Sequence, residues 1–86
     1  KFSINKPYPN PFNPITVIEY GLPFKSNLSI RIYDILGRIL HQENKNTLEP
    51  GYYTFTWDAA IYSSGIYFIQ FQISDILQTH KVLLLK

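Results

Sequence analysis

The chain has no cysteine and no methionine. The first absence excludes a disulfide framework and any cysteine-ligated metal, so the fold must be held without covalent cross-links. No stretch of eighteen apolar residues exists, so no segment has the length and character of a membrane-spanning helix. Charge of one sign is never concentrated: eight basic and six acidic residues are scattered singly, which leaves no basic stripe of the kind nucleic acid needs. Histidine is scarce. His41 and His80 lie far apart, whereas a metal site needs three or four converging ligands, so both read as ordinary strand residues. Serines at 3, 26, 29, 63, 64 and 74 are available, but none sits in a Gly-x-Ser-x-Gly elbow, and no acid–base pair has a recognisable spacing. Neither catalysis nor a cofactor is expected. The start, Lys1-Phe2-Ser3, lacks the apolar core of a signal peptide. It reads as a cut from a longer parent, on which any export signal would lie.

What the chain does have is aromatic bulk and proline. Eighty-six residues make one domain, 1–86, and a chain of this length buries only about 60–65% of its unfolded surface. Large side chains must therefore fill the core. Seven Tyr, six Phe and one Trp supply them, each able to bury about 150–250 Å². At the other extreme, Tyr8-Pro-Asn-Pro-Phe-Asn-Pro14 places three prolines in seven residues. Each fixes φ and removes a donor, and each pushes its predecessor to extended geometry. This segment cannot be a helix or a central strand. Residues 1–14 read as a stiff Pro-rich lead with a short edge strand at Phe2-Ser3-Ile4, and 15–86 as the main sandwich.

From residue 15 onward the pattern is one of short alternating runs. Residues 15–22 put Ile18, Tyr20 and Leu22 on one face, and 28–33 do the same with Leu28, Ile30 and Ile32. Asp34-Ile35-Leu36-Gly37 is a turn: Asp can bond its own backbone, and Gly at the fourth position tolerates positive φ. Residues 38–43 return, Arg38 serving as a turn-anchoring or surface cation, and 44–49 are expected to be a loop closed by Pro50-Gly51. Residues 52–57 turn Tyr53, Phe55 and Trp57 inward. After a polar crossover at 58–64, the strand opened by Gly65 aligns Tyr67, Ile69, Phe71 and Ile73. Ser74-Asp75 turns into a last strand, 76–86. Tyr67, two residues after Gly65, looks like a corner tyrosine that ties a crossover by its hydroxyl. Helix is unsupported: β-branched and aromatic residues fill every run, bounded by Gly, Pro, Asn or Asp. Seven strands spaced near ten residues predict an all-β, immunoglobulin-like or fibronectin-like antiparallel sandwich without the antibody-type Cys…Trp…Cys pattern. Its expected core is Ile18, Tyr20, Ile30, Ile32, Tyr53, Phe55, Trp57, Tyr67 and Phe71. Tyr33 and Tyr52, on the outward phase, are the only candidates for a flat sugar-binding platform.

The ordered motifs Tyr8-Pro-Asn-Pro-Phe-Asn-Pro14, Ile18-Glu-Tyr-Gly-Leu-Pro23, Ile32-Tyr-Asp-Ile-Leu-Gly-Arg38, Gly51-Tyr with Trp57-Asp58, Ser64-Gly-Ile-Tyr-Phe68 and Lys81-Val-Leu-Leu-Leu-Lys86 together resemble the type A C-terminal sorting domain of the type IX (Por) secretion system of Bacteroidota and related phyla. The similarity covers nearly the whole chain. Two positions depart from the family's habit: Ala59-Ala60 where glycine often follows the Trp-Asp pair, and Ser74-Asp75 where a Gly-Asp or Gly-Asn turn is common.

The resemblance implies a non-catalytic targeting domain at the C-terminus of a secreted parent. Such a domain folds in the periplasm, directs passage through an outer-membrane translocon, and ends at the cell surface or outside the cell, where a sortase can remove it. The implied partners are the type IX translocon, its shuttle and sortase components, and N-terminal cargo domains of the same chain. A monomer is expected. The expected recognition element is the terminal strand Lys81, Val82, Leu83, Leu84, Leu85 and Lys86, because four consecutive apolar residues imply a strand covered on both faces or one that meets a partner. Two rival readings are a carbohydrate-binding module of a secreted hydrolase and a structural module. The second rests on the Ile32-Tyr-Asp…Gly37 hairpin, which resembles the flagellar hook-capping domain.

Overall fold

The computed structural model describes residues 2–86, leaving Lys1, where the cut is expected, outside the described residues. Among the described residues there are seven strands and no helix: β1 Ser3–Ile4, β2 Ile15–Leu22, β3 Ser26–Tyr33, β4 Ile39–Leu48, β5 Gly51–Asp58, β6 Gly65–Ile73 and β7 Ile76–Leu84. They form two antiparallel sheets, β1-β2-β5 and β4-β3-β6-β7. This is the sandwich class expected. In a constant-type immunoglobulin domain the fourth strand joins the first, second and fifth; here β4 pairs with β3 instead, the fibronectin-like alternative.

The core follows the alternation. Ile18, Tyr20 and Leu22 of β2, with Phe55 and Trp57 of β5, face Leu28, Ile30 and Ile32 of β3, Tyr67, Ile69, Phe71 and Ile73 of β6, and Val82 and Leu84 of β7. Aromatic rings join the sheets: Tyr20 and Phe55 both meet Phe71 edge-on, at 5.3 and 6.1 Å between centroids. Tyr53 is the one expected core residue left at the margin. It is half-buried, stacks on Tyr20 at 5.5 Å, and sends its hydroxyl out to the Glu49 carbonyl.

The turns obey local chemistry. Gly37 takes φ 82° and donates to the Asp34 carbonyl. The Asp34 side chain accepts from the Leu36 and Arg38 amides at 2.9 and 3.0 Å and from Arg38 Nε at 2.7 Å. Burial pushes that carboxyl up, but the bonds from Arg38 and Leu36 and the Arg38 charge outweigh it and hold Asp34 below its ordinary 3.8. Tyr67 donates to the Ser63 carbonyl at 2.6 Å, the corner bond expected of it. Ser74-Asp75 keeps a two-residue hairpin turn, with Ile73 paired to Ile76 and Ser74 itself at φ 53°.

Two expectations need correction. Residues 44–48 are strand rather than loop, and β3 begins at Ser26, two residues before the run expected at 28–33. The cause is a β-bulge in which Asn46 and Thr47 oppose Asn27. Thr47 takes φ 58° and donates to the Asn27 side chain at 2.8 Å. An edge strand whose only inward residue after Glu43 is Leu48 shows no alternation, and a bulge breaks what remains.

Candidate functional site

The terminal strand is built from below by β6. The register Gly65↔Leu84, Tyr67↔Val82 and Ile69↔His80 puts Val82 and Leu84 into the core with no accessible surface. Lys81, Leu83 and Leu85 take the opposite phase. Lys81 is exposed, Leu83 half-buried and Leu85 half-exposed. Two of the four consecutive apolar residues are therefore core, and the outward pair is what asks for a partner.

That partner is in part the Pro-rich lead. Residues 8–14 do more than aim the chain: they cross from one sheet to the other. Tyr8 exchanges both backbone bonds with Val17 of β2, at 2.9 and 3.0 Å. Two residues on, the Asn10 side chain copies a strand backbone, donating to the Lys81 carbonyl and accepting from the Leu83 amide, each at 3.0 Å. Phe12 then pairs in parallel with Leu84. Its amide donates to the Leu83 carbonyl at 2.9 Å, and its carbonyl accepts from Leu85 at 3.0 Å. The Phe12 ring is buried against Trp57 at 5.6 Å, and Pro14 accepts from Ala59. The prolines read as breakers in the sequence, so pattern alone assigns Phe12 no face.

The last residue is also tied down. The Lys86 amide donates to Ser64 Oγ at 2.9 Å, and its ammonium reaches the Ala60 carbonyl. The same end of the sandwich carries the β3–β4 turn and the 58–64 crossover. Ile35, Leu36 and Ile61 stand there at 70, 74 and 86% exposure.

The other candidates do not converge. His41 on β4 and His80 on β7 occupy opposite edges of one four-stranded sheet, about 14 Å apart at strand spacing. Their partners are Glu43 and Gln78, not a serine, and no group of three potential metal ligands occurs among the described residues. Trp57 belongs to the core at 6% exposure. Tyr33 lies on the outer face of the four-stranded sheet and Tyr52 on that of the other. They cannot form one platform.

The chain matches the secretion system C-terminal sorting domain over residues 6–85. It belongs to that family. No curated protein matches the chain. As a sorting domain of type IX secretion, its role is to mark an attached parent chain for export.

Proposed function

We propose that this sorting domain is read by the type IX outer-membrane translocon through the outward side of its terminal strand, with no chemistry of its own. The observation that carries the reading is the division of labour in Lys81–Lys86. Val82 and Leu84 anchor the strand in the core, while Lys81, Leu83, Leu85 and Lys86 remain on the surface. Backbone groups of Lys81, Leu83 and Leu85 are already bonded to Asn10 and Phe12. Side chains, rather than strand addition at this edge, are therefore what a receptor meets. The exposed Ile35, Leu36 and Ile61 extend that surface with apolar area. In this account the domain folds in the periplasm, shuttle components deliver it, and a sortase then leads to surface attachment or release of the cargo.

The test is export of a periplasmic reporter fused ahead of residue 1 in a host with a compatible type IX system. The intact fusion reaches the surface or medium. Deleting Val82–Lys86 abolishes export but also removes two core residues, so surface variants decide the matter. Lys81→Ala and Leu85→Ser lie outside the core and leave the thermal midpoint unchanged, and at least one slows export. Wild-type export by both would remove the outward side of the strand from the mechanism. Failure of the intact fusion beside a working control domain would overturn the sorting role.

A further inference from the structure

A sandwich of two open sheets has four edge strands, and here they are β1, β5, β4 and β7. An unpaired edge presents a row of free N–H and C=O groups, which proteins blunt with short strands, bulges, charges or covering segments. β1 is two residues long. β4 carries Lys45 and bulges at Asn46-Thr47 and at Leu40. The end of β7 is covered by Asn10 and Phe12.

Of these devices β5 has only one charge, Asp58, at its very end. It is eight residues long, Gly-Tyr-Tyr-Thr-Phe-Thr-Trp-Asp, with no proline and no lysine. It pairs with β2 in unbroken register from Ile15↔Asp58 to Leu22↔Gly51, without a bulge. The strand that would cover it in a constant-type immunoglobulin domain has moved to β3. Because Val17 spends both backbone bonds on Tyr8, the antiparallel alternation sends the N–H and C=O of Tyr52, Thr54, Thr56 and Asp58 to the free side. Aromatic and β-branched residues dominate the strand, the composition that favours pairing.

We infer that β5 is a self-association edge, whose occupant is β5 of a second copy of this chain, antiparallel about a two-fold axis. The strand is complementary to itself in one register. Centring the axis on Phe55 sets Tyr52 opposite Asp58 of the second copy and Thr54 opposite Thr56. All four outward residues of each strand then engage both backbone groups. Asp58, the only charged residue of β5, faces a tyrosine rather than its own mate, so no like charges oppose. The product is one continuous six-stranded sheet. This inference is independent of the export reading, since it uses the edge remote from β7.

The test is sedimentation equilibrium of the chain over a wide concentration range. A concentration-dependent dimer is expected. The double substitution Thr54→Lys/Thr56→Lys abolishes it, because the register places each new ammonium opposite another. Within one copy the side chain introduced by Thr54→Lys sits beside Glu19, the cross-strand partner of Thr54, and the thermal midpoint is unchanged. Register is read separately by cysteine, which the chain otherwise lacks. Oxidising a mixture of Thr54→Cys and Thr56→Cys chains gives the mixed disulfide, because directly opposed residues lie about 5.5 Å apart, within disulfide reach. Neither variant alone cross-links, because its cysteines are diagonal at about 7–8 Å. A chain that stays monomeric at its highest soluble concentration overturns the inference. So does a dimer that survives the lysine variant, or a monomer whose β5 edge takes up only an unrelated extended peptide.

Discussion

Trp57 ties three parts of the molecule together with one side chain. Its indole meets Phe12 of the lead at 5.6 Å, Tyr62 of the crossover at 5.7 Å and Tyr67 of β6 at 5.3 Å. Replacing it by alanine removes the packing partner of all three rings, and chemical denaturation is expected to show a loss of about 3–5 kcal/mol. A loss under about 1 kcal/mol would mean that the site collapses without cost and that Trp57 is not a core anchor. Single residues are the most legible part of this sequence where the chemistry is local. Asp34 and Gly37 announce their turn because each satisfies its geometry within four residues, and Tyr67 announces its corner bond for the same reason. Phe12 is illegible because its partners, Trp57 and Leu83, are brought to it only by the completed fold.

Among the elements, strands with one buried face are readable and strands without one are not. β2, β3, β5 and β6 alternate over most of their length, so their inward faces follow from the pattern. Only Leu48 in the second half of β4 packs toward the core, and the pairing of that half to β3 depends on a bulge that no pattern marks. The terminal strand lies between these cases. Its apolar character is visible in the sequence, but only the lead explains how its edge is covered. Asn10 is central to that cover, because its amide satisfies two backbone groups of β7. Asn10→Ala hands the Lys81 carbonyl and the Leu83 amide to water, because both bonds are exposed, and a destabilisation of about 0.5–1.5 kcal/mol is expected. Hydrogen exchange separates this from a general loss of stability. The Leu83 amide should exchange much faster than those of β3, and an unaltered Leu83 rate would show that the Asn10 bond is dispensable.

At the scale of the whole molecule, stability should depend on pH at two margins. Burial of His80 disfavours its charged form and holds it below 6.5. The unfolded chain therefore takes up the proton first, and stability falls as pH drops below 6.5. Burial raises Tyr20 from 10.0 to about 12, with the Glu43 and Tyr53 charges adding to it. Here the unfolded chain loses its proton first, so stability falls as pH rises from 10 toward about 12. The thermal midpoint plotted against pH should decline on both sides of a plateau. His80→Gln should flatten the acid side just below pH 6.5, and Tyr20→Phe the alkaline side. Unchanged slopes in these variants would place the titrating groups elsewhere.

The covering of β7 by the lead also has a consequence in time. The two hydrogen bonds of Asn10 span 71 and 73 positions of the chain. Contacts of such separation are the slow ones to form, because the loop must close before they reward it. A ribosome releases the lead before its partners. Phe12 therefore has no strand to lie against until Leu83 and Leu85 exist. A chain halted or clipped short of Leu85 keeps Tyr8 on Val17 but lacks the Leu85 bond to Phe12, so the full seal between lead and β7 is a record that synthesis has run through to Leu85.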